Sequence, residues 1–131
     1  MDWIITKVAE LFYDEENAVL YINILENAEL TLENAKEHYQ QIETVTKGQK
    51  HLALIDSGNY YTTSHETLLY TSKKTTFKNR VATAYYNFCT PNKLTADFFK
   101  NNYKPEMDLK TFKTKEEALV WWANAKDNLL E

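Results

Sequence analysis

Three histidines and a single cysteine are the residues of this chain best suited to metal binding or nucleophilic chemistry. His38, His51 and His65 fall in three separate segments and have no ligand spacing. His65, followed by a glutamate, starts like a helical zinc motif, but Leu69 stands where the second histidine would be needed. Cys89 has no cysteine or histidine beside it in the sequence. We therefore predict no metal site and a packing role for Cys89.

The carboxylates give no catalytic pattern either. Asp56, Glu66 and Asp97 could act as general acids or bases, but nothing in the sequence places two of them together. No serine lies in a nucleophile elbow, and 2 glycines cannot build a dinucleotide fingerprint or a phosphate-binding loop. We predict a protein that is not an enzyme, with no catalytic residue and no cofactor.

Length and composition favour one compact domain. The chain has 131 residues, 44% of them hydrophobic and 26% charged, so we treat residues 1–131 as a single domain. Its 1 cysteine excludes an intramolecular disulfide. No apolar run approaches the ~20 residues of a membrane span. We also find no basic segment of the kind that begins a secretory signal. These features predict a cytoplasmic protein without integral membrane association.

The charges are unevenly distributed along the chain. Residues 1–72 carry 4 basic and 12 acidic side chains, whereas residues 73–115 carry 10 basic and 3 acidic ones. This polarity could support self-association or docking on an anionic surface, or it could simply be solvated surface charge. Arg80 is the only arginine, and nucleic-acid sites usually rely on arginine forks, so we predict no nucleic-acid partner.

Hydrophobic periodicity in the first half predicts a hairpin followed by a crossover unit. The segments Ile4–Phe12 and Val19–Ile24 are strand-like, and a polar turn joins them. The second of these has apolar side chains on both faces, which is typical of a central strand. A helix over Leu32–Lys47, capped by Thr31, precedes the apolar strand His51–Ile55.

The second half alternates helices with strands. One helix is predicted from His65, with Leu68 and Leu69 inside. Another is predicted from Pro91, with Thr90 as its cap and with Leu94, Phe98 and Phe99 inside; Tyr60 and Tyr61 fall in a loop. The strands are Val81–Tyr86 and Leu109–Phe112, and the last helix, begun by a Thr114–Glu117 capping box, runs to Leu129. The fold class is therefore α/β: a mixed, largely parallel sheet of about five strands in the order ββαβαβαβα, with helices packed against it.

Two aromatic groups suggest binding surfaces. Trp122 falls on the apolar stripe of the last helix, but Val120 and Trp121 do not both fit there, so we predict a protein interface at these two residues. The alternative is that Trp121 covers the rim of the core. Tyr85, Tyr86, Phe98 and Phe99 could line an apolar pocket.

Several strings across nearly the whole chain resemble one known group. These strings are Ala28–Lys36, Leu52–Asp56, Phe98–Pro105 and, most specifically, Phe112–Trp121. Together they resemble the bacterial STAS-like proteins, which are related in fold to the sporulation anti-anti-sigma factor and to CRAL-TRIO lipid-binding domains. The resemblance implies a non-enzymatic domain that is often paired as a dimer.

The resemblance also implies a modification site. In the regulatory branch a serine or threonine at the N-terminus of the second helix is phosphorylated, and Ser64 occupies about that place here. This chain has Thr63-Ser64-His65-Glu66 where the regulatory branch carries an Asp-Ser-Ser-Gly-like string. The alternative for Ser64 is an ordinary helix cap.

The sequence and the resemblance lead to three alternative functions, the second and third of which rest on the resemblance. The first is a non-catalytic STAS-like protein-interaction module that forms a homodimer. The second is binding of a lipid or small apolar ligand. The third is a phospho-switched regulator resembling the anti-anti-sigma factors.

Overall fold

A computed structural model of the protein describes residues 2–131 and shows eight strands and four helices in that range. In chain order they are β1 (Ile4–Ile5), β2 (Ala9–Asp14), β3 (Val19–Ile24), β4 (Ala28–Leu30), α1 (Leu32–Thr46), β5 (His51–Asp56), β6 (Tyr61–Thr63), α2 (His65–Ser72), β7 (Arg80–Tyr86), α3 (Thr90–Tyr103), β8 (Leu109–Phe112) and α4 (Lys115–Leu129). None of these helices is long and apolar enough to cross a membrane.

Six of the strands form one mixed sheet in the order β1-β2-β3-β5-β7-β8. The pairs β1–β2 and β2–β3 are antiparallel, and β3–β5, β5–β7 and β7–β8 are parallel. A separate two-stranded sheet pairs β4 with β6 in parallel. The predicted α/β class with a largely parallel sheet is confirmed, with six strands where about five were expected.

The two faces of the main sheet are covered by different helices. Each parallel step advances to the next neighbour in the same direction, and right-handed crossovers of this kind place α1, α2 and α3 on one face. Ile42 of α1 accordingly packs in one core cluster with Leu20 and Ile22. Ala118 and Trp122 of α4 pack in a second cluster on the opposite face.

Strand β5 separates these two clusters. Ala53 and Ile55 belong to the cluster under α1, whereas Leu52 and Leu54 belong to the cluster under α4. Because both faces of this strand are covered, its apolar residues form a continuous run instead of alternating with polar ones.

The caps predicted at Thr31 and Thr114 are confirmed, whereas the cap predicted at Thr90 is wrong, because α3 begins at Thr90 and its N-cap is Cys89. The hydroxyls of Thr31 and Thr114 accept hydrogen bonds from the amides of Asn34 and Glu117, at 3.1 and 3.2 Å. Helix α1 ends in left-handed backbone that includes Gly48, at φ 68°, where glycine avoids the strain of a side chain.

The predicted strand Ile4–Phe12 is wrong as a single element. Thr6 breaks it into β1 and β2, because its hydroxyl donates to the carbonyl of Ala9 and accepts from the amides of Val8 and Ala9. A local side-chain turn therefore replaces the ladder at this point. The short β1 then folds back antiparallel on β2.

The predicted inner face of α3 is also wrong for two of its three residues. Leu94 and Phe98 are 65% and 52% exposed, whereas Asn92, Ala96 and Phe99 face the core. The Asn92 amide donates to the carbonyls of Ser57 and Asn59, at 2.8 and 2.7 Å. This buried polar anchor fixes the rotation of the helix and turns Leu94 and Phe98 towards solvent.

The region around α2 differs from prediction because a small sheet forms there. Tyr61 lies in β6 instead of a loop, paired with Ala28 of β4. The hydroxyl of Thr67 donates to the carbonyl of Leu30 at 2.7 Å, which draws Thr67 inwards. Leu69, predicted to be inside, is 44% exposed as a result.

Removing the Trp122 ring should lower the stability of the protein. Trp122 is 2% exposed, and its indole N–H donates to the Asn17 carbonyl at 2.8 Å. We expect Trp122→Ala to lower the free energy of unfolding by about 3–5 kcal/mol, measured by urea denaturation. Val120→Ala, at a 64% exposed position of the same helix, is the control and should change it by less than about 0.5 kcal/mol. Equal effects of the two variants would contradict this packing.

Candidate ligand-binding site

A cavity of about 100 Å³ lies between the main sheet and the three helices that cover its first face. Its sheet wall includes Ile22, Ile55 and Tyr85. Its helical wall includes Ala35 of α1, Leu68 of α2 and Ala96 of α3. Most of this surface is hydrocarbon, which suits the non-polar part of a ligand.

Arg80, the only arginine of the chain, lines this cavity and is 8% exposed. It opens β7, and its amide donates to the carbonyl of Phe77 at 3.0 Å, so the turn before the strand places Phe77 close to it. The Arg80 guanidinium carbon stands 3.8 Å from the centre of the Phe77 ring and 5.9 Å from that of Tyr39. These contacts are cation–π interactions.

The guanidinium has no acidic partner among the residues that the structure describes. Its Nε is buried without a hydrogen bond. The ion pairs within residues 2–131 are Lys47–Glu15 and Lys93–Asp97, both at the surface. Burial lowers the pKa of Arg80, and Tyr39 and Tyr85 act in the opposite direction. An arginine keeps its charge in a protein, so the cavity holds an unbalanced positive charge.

The other polar groups of the cavity are neutral. His38 is 7% exposed, and its Nδ1 has no hydrogen-bond partner. Burial first, and the charge of Arg80 second, lower the pKa of His38 to about 3, so the imidazole is uncharged at neutral pH. Burial raises the pKa of Tyr39, Tyr61 and Tyr85, which therefore remain protonated hydroxyls.

The cavity can therefore hold a mostly apolar ligand that also forms a few polar contacts with its lining. Aspartate, glutamate and cysteine are absent from its lining in the described part of the chain. A single cation, a neutral histidine and protonated tyrosines can donate hydrogen bonds and compensate negative charge.

Two of the four residues predicted to line an apolar pocket do so. Tyr85 and Phe99 face the cavity. Tyr86, the neighbour of Tyr85 on β7, packs beside the α4 cluster on the other face of the sheet, because successive strand residues alternate. Phe98 lies on the exposed side of α3. The prediction that Tyr86 and Phe98 line the pocket is therefore wrong.

Ser64 is the N-cap of α2. Its hydroxyl accepts from the Thr67 amide at 3.1 Å and lies 2.8 Å from the Thr67 hydroxyl. The side chain thus has the capping role that the sequence offered as an alternative. Phosphorylation of Ser64 stays a prediction, and a phosphate there would replace these two contacts.

The two candidate interface residues of α4 differ in exposure. Val120 is 64% exposed. Trp121 is half-buried, with its ring centre 5.9 Å from that of Phe112 and 6.2 Å from that of Trp122. Trp121 therefore covers the rim of the core, and Val120 is the more accessible of the two.

The remaining candidate chemical groups have local contacts. The Asp56 carboxylate accepts from the Gly58 amide and the Asn87 amide group, and Asp97 pairs with Lys93. His65 lies 2.6 Å from the Tyr103 hydroxyl. Cys89 is half-buried at the N-cap of α3. Residues 2–131 contain no group of three or more histidine, cysteine or acidic side chains that could hold a metal ion.

This geometry thus defines the class of protein: an α/β domain with a cavity between one sheet face and three helices. Comparison with protein families places it more closely: a family model described as "Domain of unknown function (DUF7793)" matches residues 12–126. The chain belongs to the DUF7793 family. The match runs from β2 into α4 and includes His38 and Arg80. Searches of curated proteins and of solved structures gave no match. The resemblance to STAS-like proteins stays a prediction.

Acidification should destabilise the protein through its buried histidines. Burial lowers the pKa of His38 from 6.5 to about 3 and, as the largest of several causes, that of His51 to about 4. Between these values and 6.5 the unfolded chain binds more protons than the folded one, so the free energy of unfolding falls as the pH falls. Each histidine contributes about 1.4 kcal/mol per pH unit within its window.

Urea denaturation at several pH values from 7 to 4.5 would measure this slope. We expect His38→Gln to have a shallower slope than the wild type, because one of the two linked protons is removed. His65→Gln, in which both buried histidines remain, is the control. An unchanged slope in His38→Gln would show that folding does not lower the pKa of His38.

Proposed function

We propose that this protein is a non-catalytic binding domain that takes up a small, mostly apolar ligand in the cavity beneath α1, α2 and α3. The observation that carries the proposal is a cavity of about 100 Å³ into which two buried polar residues, His38 and Arg80, bring unpartnered nitrogen atoms. Buried polar groups normally have hydrogen-bond partners, and a bound molecule could supply them here.

The volume of the cavity limits the size of the ligand. One water molecule needs about 10–15 Å³ of such volume, so 100 Å³ has room for several waters or one small molecule. Ligand pockets for larger molecules start at about 300 Å³. The proposal therefore favours a small molecule over a whole lipid.

A titration with benzene, followed by ¹H–¹⁵N NMR, tests uptake of an apolar molecule. We expect signals of cavity residues such as Ile22, Ile55 and Phe99 to shift. Ala96→Leu should abolish these shifts, because the larger side chain would occupy the cavity. Ala123→Leu, at an exposed position of α4, is the matched control and should bind benzene as the wild type does.

Native mass spectrometry of freshly purified protein complements the titration. A co-purified small molecule, lost in Ala96→Leu and retained in Ala123→Leu, would support the proposal. The absence of both a co-purified molecule and benzene-induced shifts in the cavity would contradict it.

A second candidate function is protein contact through exposed apolar residues of α3 and α4. Val120 and Leu94 are 64% and 65% exposed, and Leu94 lines an open groove together with Phe88 and Phe112. Exposed apolar surface of this kind is typical of an interface. In this role the domain would be the homodimeric, non-catalytic STAS-like interaction module that the sequence favoured.

Sedimentation analysis tests this second role. A dimer at high micromolar concentration that Val120→Lys dissociates would support contact through α4. Ala123→Lys adds the same charge on the same helix and is the control. A monomeric wild-type protein at that concentration would count against the homodimer.

A further inference from the structure

The lone arginine of the cavity gives information about the chemistry of the ligand. We propose that the ligand carries one carboxylate group, which binds the guanidinium of Arg80, and a short apolar part that occupies the rest of the cavity. This inference rests on the proposed function and specifies the class of molecule: small monocarboxylates.

The argument starts from charge. Taking a guanidinium out of water without a partner is costly, and the Phe77 and Tyr39 rings offset only part of that cost. The cavity lining of the described chain supplies no aspartate or glutamate. A carboxylate on the ligand would supply the missing negative charge, and the planar fork of arginine matches it with two parallel hydrogen bonds.

The number of charges favours a carboxylate over a phosphate. Arg80 is the only positive group among the lining residues in the part of the chain that the structure describes, since His38 is neutral at pH 7. A phosphate monoester carries about −1.5 to −2 charges at pH 7 and would leave negative charge uncompensated in an apolar space. A carboxylate carries one charge and is balanced by one arginine.

The surroundings of Arg80 suit a carboxylate in other respects. The Tyr39 ring lies beside the guanidinium and Tyr85 also lines the cavity, so protonated tyrosine hydroxyls are further hydrogen-bond donors in the site. Ile22, Ile55 and Phe99 provide hydrocarbon surface for the apolar part. The volume limits that part to a few carbon atoms.

Butyrate and butanamide are the probes for this inference. They have nearly the same shape, but only butyrate is charged at pH 7. We expect wild-type protein to bind butyrate at least about tenfold more tightly than butanamide. Butyrate should also shift the Nε–H signal of Arg80, which is unambiguous because the chain has one arginine.

Arg80→Met should remove the preference for butyrate while benzene still binds. Lys100→Met, which removes one positive charge from the exposed side of α3, is the matched control and should keep the preference. If Arg80→Met does not fold, the Arg80 Nε–H shift in the wild type decides.

The outcomes separate the two proposals. Benzene binding without a preference for butyrate, or with an unmoved Arg80 signal, would overturn the carboxylate inference and leave the proposed function standing. Binding of none of the three probes, together with the absence of a co-purified molecule, would overturn both.

Discussion

The parallel strands advance across the sheet in one direction, and the placement of the helices depends on this constraint. With every crossover stepping the same way, α1, α2 and α3 lie on one face, and only α4 is left for the other. The α4 face is closed by large side chains, with Trp122 packed on Leu52, Leu54 and two alanines of β7. The face beneath three helices is where a cavity remains.

The polar character of the cavity follows from where β7 begins. Arg80 is the first residue of that strand, and the turn before it brings Phe77 against its guanidinium. Burying the residue places a fixed charge among apolar groups and lowers the pKa of His38 further than burial alone. The same strand presents Tyr85 to the cavity and Tyr86 to the α4 cluster. Strand β7 therefore supplies the charge of the site and the Tyr85 hydroxyl, whereas His38 and Tyr39 come from α1 and Tyr61 from β6.

Structure that depends on neighbouring residues could be predicted from the sequence, whereas structure that depends on distant contacts could not. The caps at Thr31 and Thr114 and the apolar run of β5 could be predicted, because each depends on neighbouring residues. The rotation of α3 could not, because Asn92 bonds to carbonyls 33 and 35 residues earlier in the chain. Three-residue strands such as β4 and β6 leave too little periodicity to be recognised.

The residues that define the candidate site were the hardest to recognise. His38 has the helical spacing of the buried residues Ala35 and Ile42 of α1, so its burial could be predicted from the sequence. Arg80 carried one signal, its being the only arginine, which led to the prediction of no nucleic-acid partner and did not indicate where the residue lies.

Stability alone does not account for Arg80. An apolar side chain of similar volume would avoid the cost of desolvating the guanidinium, and replacing buried charges in this way is often neutral or stabilising. Its aromatic neighbours supply attraction without supplying a counter-charge. A buried cation beside an open volume is therefore better explained by a role in recognition than by a role in packing. The apolar walls contribute to this role, because an electrostatic contact is stronger where water is excluded.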